Sequence, residues 1–178
     1  MDSNDDLMAL DPDVELGLEN IHPCHFLSEF DYLMGLVRDH RVFLLNMPIQ
    51  SANDRVLGLM QRLYTRRELD KIFGGLTEAG FANCETDVIL GFPTETREEC
   101  RETMDFVIGH RVRYTKVSGY LETPGMASVS IMPKVEAEEA RRRVLEVSSA
   151  ITSAGLLCNF DNNEVCKERF AKELVDLW

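Results

Sequence analysis

Residues 84–100 read CETDVILGFPTETREEC, a strand pattern that runs directly into a helix start. The apolar stretch CETDVILGF, residues 84–92, is short and ends at turn-forming Gly91 and Pro93, as a buried strand would. Thr96 and Glu99 then have the spacing of a capping box, in which each side chain bonds the other's backbone N–H. The helix that follows carries Cys100, Met104, Val107 and Ile108 on one face. A strand feeding a capped helix is one βα unit of a parallel sheet.

The unit recurs on both sides. In RVFLLNMP (41–48) a β-rich run ends at Pro48, and a polar knot of Gln50, Ser51 and Asn53 follows. Ser51 with Asp54 has the S-x-x-D spacing of a helix cap, and Val56, Leu57, Met60 and Leu63 form the predicted apolar face. Thr65 with Glu68 opens a second helix, with Leu69, Ile72, Phe73, Leu76 and Ala79 on its face and Gly80 as its stop. Gly74 and Gly75 inside it each cost about 1 kcal/mol relative to Ala. Upstream, ELGLENI (15–21) precedes a helix bearing Phe26, Phe30, Leu33, Met34 and Val37. Downstream, YTKVSGYL (114–121) precedes a helix near 136–154.

About four βα units therefore predict an α/β fold, a partial (β/α) barrel with a parallel sheet and right-handed crossovers. In such sheets ligands sit beyond the carboxyl ends of the strands. Those ends are His22-Pro23, Gln50-Ser51, GFPTET (91–96) and GYLETPG (119–125). The expected organisation is an acidic segment over 1–14, the βα domain over 15–155, and a loop with a short helix over 156–178.

Composition narrows the function classes. The 178 residues hold 19 Lys and Arg against 31 Asp and Glu, a formal charge of −12. That charge repels phosphate backbones, which disfavours direct tRNA binding by this acidic chain alone. The opening MDSNDDLMALDPDVE has neither a basic leader nor an apolar core, and no later stretch approaches a membrane span, so no membrane association is expected. Five cysteines without CxxC spacing point to a reduced, cytoplasmic setting.

Taken in order, PIQS with DRVLGLMQRLYT, then TDVILGFPTET, then TPG resembles the radical SAM methylthiotransferases, which sulfur-modify tRNA or a ribosomal protein. That family shows a Pro-x-Gln-Ser-Gly-Ser-Asp turn, a Met-x-Arg-x-Tyr-Thr helix end, a Thr-Asp-Ile-Ile-x-Gly-Phe-Pro-Gly-Glu-Thr strand and an Arg-Pro-Gly-Thr turn. The resemblance covers roughly residues 18–148 and implies strands three to six of the family's six-stranded partial barrel. It implies S-adenosylmethionine (SAM) as a cofactor, together with a 4Fe-4S cluster held by a Cys-x-x-x-Cys-x-x-Cys loop. The 178 residues contain no such triplet, no Gly-Gly-Glu counterpart and no TRAM-type tail. Asn46, Ala52-Asn53, Thr94 and Thr123 also depart from the family pattern, all on the expected ligand rim.

By resemblance, the cofactor-facing residues are Gln50, Ser51, Asp87, Gly91 and Tyr120. Each has a structural alternative. Gln50 and Ser51 either face the ribose or methionine part of SAM or belong to a helix cap. Asp87 either points into the barrel or is a buried acid paired with a cation such as Arg62. Gly91 permits close approach to a ligand or to a helix. Glu95 reads as a helix-start carboxylate, and Glu138, Glu139, Arg142 and Arg143 read as a solvated face. No catalytic or metal-ligating set is assigned.

Three functions follow as expectations. The chain is a radical SAM methylthiotransferase-like domain, incomplete and not catalytic alone, that acts beside a separate chain carrying the cluster-binding segment. Alternatively it is a noncatalytic module binding a small ligand or a protein, or a truncated product without its own function. Self-association is the other expected partnership, through an unpaired strand edge near residues 15–21.

Overall fold

The computed structural model describes residues 14–160. Five strands form one parallel sheet in the order of the chain: β1 Leu16–Leu18, β2 Val42–Asn46, β3 Cys84–Leu90, β4 Tyr114–Gly119 and β5 Leu157–Phe160. Helices α1 Pro23–Ser28 and α2 Phe30–Arg38 follow β1, and α3 Asp54–Leu59 and α4 Arg66–Glu78 follow β2. Helix α5 Arg97–Gly109 follows β3, and a 3-10 turn at Ala127–Ser130 with α6 Ala137–Ser153 follows β4.

Strand β3 shows how the layers form. Its residues alternate, with Cys84, Thr86, Val88 and Leu90 buried and Glu85, Asp87 and Ile89 half-buried. The buried set joins one core with Leu69, Ile72, Phe73 and Leu76 of α4, Phe106 and Val107 of α5, and Val144, Val147 and Ile151 of α6. The other face is the concave side of a partial barrel, and β4 continues both faces. Thr115 and Val117 are buried in line with Thr86 and Val88, while Lys116 pairs in register with Asp87.

Two of the predicted helix starts have the expected chemistry. Thr65 with Glu68 and Thr96 with Glu99 form reciprocal capping boxes on α4 and α5. Gly80 ends the α4 region at φ +72°, a conformation that costs glycine little.

Four expectations need correction. The cap of α3 is Asn53, whose side chain accepts the Val56 N–H at 3.1 Å, and Ser51 lies two residues outside it. Leu63 is 85% exposed because α3 ends at Leu59 and the following turn swings that side chain away. The four βα units are followed by a fifth strand, Leu157–Phe160, which pairs along β4 where a loop was anticipated. Arg143 is not on a solvated face: it is 7% exposed and reaches across to Glu95. The short helix anticipated after that strand lies outside the described residues.

Candidate functional site

The polar knot after β2 is an extension of the sheet before it is anything else. Thr86 Oγ1 donates to the Met47 carbonyl at 2.7 Å and accepts the Ile49 N–H at 3.2 Å. Gln50 then bridges to β3: its N–H donates to the Asp87 carbonyl at 2.9 Å, and its own carbonyl accepts the Ile89 N–H at 2.8 Å. Gln50 has φ +63°, so the chain turns sharply at this residue while its backbone stays paired.

Beyond Gln50 the knot divides. Ser51 is fully buried and faces α5: its hydroxyl lies 3.3 Å from that of Thr103 and accepts the Asn53 N–H. Arg55 ties the same loop to the β3–α5 turn. It grips both carboxylate oxygens of Glu99 at 2.6 Å and bonds the hydroxyl and carbonyl of Thr94. Thr94 sits at φ +69°, where a β-branched residue is strained, and these contacts help fix it. Most of the knot therefore joins rim loops to one another, and Gln50 is its member that faces open space.

That space is a cleft of about 450 Å³ at the carboxyl ends of β3 and β4, within the size range of small-molecule sites. Its polar lining includes Gln50, Arg62, Asp87, Lys116, Ser118 and Tyr120. Phe92 and Tyr120 form an aromatic wall with ring centroids 5.1 Å apart, and the Tyr120 hydroxyl bonds that of Ser128 at 3.0 Å. Burial pushes the Asp87 carboxyl up from its ordinary range, against the opposing pull of Lys116. Asp87 forms no ion pair with Arg62 among the described residues, although both line the cleft.

Of the five predicted cofactor-facing residues, the fold brings Gln50, Asp87 and Tyr120 together on this cleft. Ser51 and Gly91 lie behind it. A Cβ at Gly91 would stand 2.6 Å from Ala140 Cβ, so the close approach there is to α6. The Gly91 N–H donates to Glu95 Oε2 at 2.5 Å, and Arg143 bonds both the carbonyl and the carboxylate of Glu95. Burial pushes the Glu95 carboxyl up to about 7, opposed by the Gly91 N–H and by Arg143. This buried clamp supports the turn that carries Phe92 to the cleft wall.

Sequence reasoning passed over Lys116 as a site residue. Strand alternation contains the signal, because Lys116 lies between core-facing Thr115 and Val117 and so shares the face of Asp87. Arg143 carried no comparable signal, since its partner Glu95 is 48 residues away in sequence.

The described cysteines do not suit an iron–sulfur cluster. No group of three His, Cys, Asp or Glu side chains among the described residues could hold a metal ion. Cys84 of β3 and Cys100 of α5 are buried in the core, with thiols pushed up to about 12 chiefly by burial, far from the thiolate form a cluster needs.

A cavity of about 500 Å³ opens at the other end of the sheet, lined by Gly80, His110, Arg111, Arg113 and Gly155 among others. It lies where α4, α5 and α6 end, and basic side chains there complement the helix termini. No helix among the described residues is long and apolar enough to cross a membrane.

Comparison with known proteins agrees with this geometry. The family model of the radical SAM superfamily matches residues 17–107, just over half of the chain. The chain is 30% identical over 154 residues to the threonylcarbamoyladenosine tRNA methylthiotransferase of Caenorhabditis elegans, covering 83% of this chain and 35% of the relative. It is also 30% identical over 149 residues to the tRNA-2-methylthio-N(6)-dimethylallyladenosine synthase of Rhodococcus jostii, covering 76% and 28%. The chain thus spans about a third of the length of the curated relatives it matches. In structure it is similar to the coproporphyrinogen III oxidase HemN of Escherichia coli, a radical SAM enzyme (TM-score 0.65, 20% identity, 82% of this chain and 33% of that one). It is also similar to the archaeal Elp3 of Methanocaldococcus infernus (TM-score 0.62, 15% identity, 83% and 35%). At these identities the two structures speak to the fold alone. The matched domain, the parallel partial-barrel sheet and the methylthiotransferase relatives agree, and the chain belongs to the radical SAM superfamily, among relatives of the tRNA methylthiotransferases.

Proposed function

We propose that the chain forms the SAM- and substrate-facing wall of a methylthiotransferase-type barrel and is not catalytic by itself. The observation that carries this reading is the cleft itself, in which Gln50, Asp87 and Tyr120 meet at the carboxyl ends of the strands. The aromatic wall of Phe92 and Tyr120 suits a nucleoside ring, and Gln50 with Ser118 suits ribose hydroxyls. The described residues offer no cluster ligands, so the reductive chemistry is assigned to a segment outside them or to a separate chain that brings the three-cysteine loop.

Iron-free protein is then expected to bind SAM with micromolar affinity, as measured by titration calorimetry, and Tyr120→Ala is expected to weaken that binding. Anaerobic reconstitution followed by reduction should yield no 5′-deoxyadenosine from this chain alone. Production of 5′-deoxyadenosine would overturn the noncatalytic assignment, and absence of SAM binding would overturn the cleft assignment. A noncatalytic module that binds an adenosine-like ligand remains the second reading. It is favoured by the departures on the rim, above all strained Thr94 held by Arg55.

A further inference from the structure

The end of the sheet opposite the rim cleft is basic, against the overall charge of −12. Its surface is made by the turns that lead from helices into strands, residues 39–41, 79–83, 110–113 and 154–156. With the last residue of each helix, these turns carry Arg38, His40, Arg41, His110, Arg111 and Arg113 against Asp39 and Glu78. The cavity of about 500 Å³ sits among them, and its titratable lining, His110, Arg111 and Arg113, is all basic. Two of the three are engaged: His110 Nε2 bonds Asp70 at 2.9 Å, and Arg113 donates to Asn83 Oδ1. The Arg111 side chain is exposed, with no hydrogen-bond or ion-pair partner among the described residues.

Arg111 also stands at φ +51°, whereas the equivalent turns after α4 and α6 use Gly80 at +72° and Gly155 at +79°. That region strains a residue with a side chain and costs glycine little. The helix end does not need the guanidinium, because the Arg111 and Val112 N–H groups already serve the Ile108 and Val107 carbonyls at 3.1 Å each. A strained arginine with an idle guanidinium, where glycine would fit, points to an anionic partner.

Residues 1–13 have the matching charge, with Asp2, Asp5, Asp6, Asp11 and Asp13 and no basic side chain. They join the described structure at this same end of the sheet, because β1 runs parallel to its neighbour and Val14 precedes it. Arg41 holds the point of entry, its Nε donating to the Val14 carbonyl at 3.0 Å. From there the amino ends of β2, β3 and β4 follow in order. Three strand spacings are about 14 Å, and a chain of this length can span up to about 43 Å, so reach is not limiting. We propose that the acidic segment 1–13 docks on this basic end of its own chain, with aspartates on Arg111 in the cavity and on Arg38 and His40 along the way. This docking does not depend on what fills the rim cleft.

The test uses the isotope-labelled 178-residue chain and the amide chemical shifts of Gly80 and Gly155, which line the cavity with Arg111. Replacing the five aspartates together (Asp2→Asn, Asp5→Asn, Asp6→Asn, Asp11→Asn and Asp13→Asn) is expected to shift both amides. About 500 mM NaCl should move the wild type toward the same positions by screening the contact. A synthetic peptide of residues 1–13, added to the five-Asn chain, should restore the wild-type shifts saturably. Arg111→Gly in that chain should weaken the peptide about 5-fold or more, and glycine suits the turn, so the variant keeps its fold. Unchanged shifts in the five-Asn chain, or equal peptide affinity with Arg111→Gly, would overturn the proposal. So would saturable binding of citrate with none of the peptide, which would make the cavity a site for a free polycarboxylate. Wild-type shifts that move to the five-Asn positions on about tenfold dilution would also overturn it, by placing the segment on a second copy.

Discussion

At the scale of single residues, the rim is held from behind by groups that never face the cleft. Gly91 is the sharpest case. It combines φ +75° with an Ala140 Cβ that leaves no room for a methyl group. Gly91→Ala is expected to lower stability by about 2–4 kcal/mol, from left-handed backbone strain plus overpacking, as read by urea denaturation. Glu95 beside it makes a pH-dependent prediction. Its folded-state value of about 7 lies above the ordinary carboxylate range, so the folded chain keeps a proton that the unfolded chain releases. The stability of the wild type relative to Glu95→Gln should therefore fall as pH rises from about 4.5 to about 7, and level off outside that window. A stability difference that does not vary with pH would contradict this. Gly91 and Glu95 were legible in sequence as a turn and a helix start. Their link to Arg143 was not, because local spacing carries no information about a contact 48 residues away.

At the scale of elements, local chemistry was a good guide where it had two reinforcing signals. The capping boxes at Thr65 and Thr96 and the stop at Gly80 each combine a cap with an apolar face, and α4 and α5 form as those signals require. A single signal was less secure. Ser51-x-x-Asp54 has cap spacing, yet Ser51 is drawn to Thr103 and the cap passes to Asn53. Strand β5 was missed because its four residues include Asn159 and show little periodicity alone; its pairing with β4, Leu157 opposite Tyr114 and Asn159 opposite Lys116, defines it. The two glycines of α4 also separate in the structure. A Cβ at Gly74 meets nothing within 4 Å, whereas one at Gly75 would touch the Phe30 ring at 3.4 Å and Met34 at 3.5 Å. Gly74→Ala should thus raise the thermal midpoint, with a gain of about 0.5–1 kcal/mol from helix propensity, and Gly75→Ala should gain less. Equal gains at both positions would show that packing against α2 does not limit Gly75.

At the scale of the whole molecule, sequential parallel strands with helices on one face leave the concave face of the sheet open, along with the edges of β1 and β5 among the described residues. Alternation of strands and helices was enough to predict that architecture, with Gln50, Asp87 and Tyr120 gathered at one end of the sheet. It could not show that Ser51 and Gly91 stand behind the rim, which depends on how α5 and α6 pack. Open edges favour pairing with another chain, so sedimentation velocity at micromolar concentration is expected to show a dimer or larger species. A strictly monomeric chain would argue against edge pairing. If the cleft at the strands' carboxyl ends is the ligand site, as proposed, the comparably sized cavity at the opposite end provides an internal control. The most direct test is a titration of the isotope-labelled, iron-free chain with SAM, followed by amide chemical shifts. Saturable shifts are expected at Gln50, Ile89, Gly119 and Tyr120, with Gly80, Arg111 and Gly155 unmoved; shifts confined to Gly80, Arg111 and Gly155, or none at any concentration, would overturn the assignment of the ligand site to this cleft.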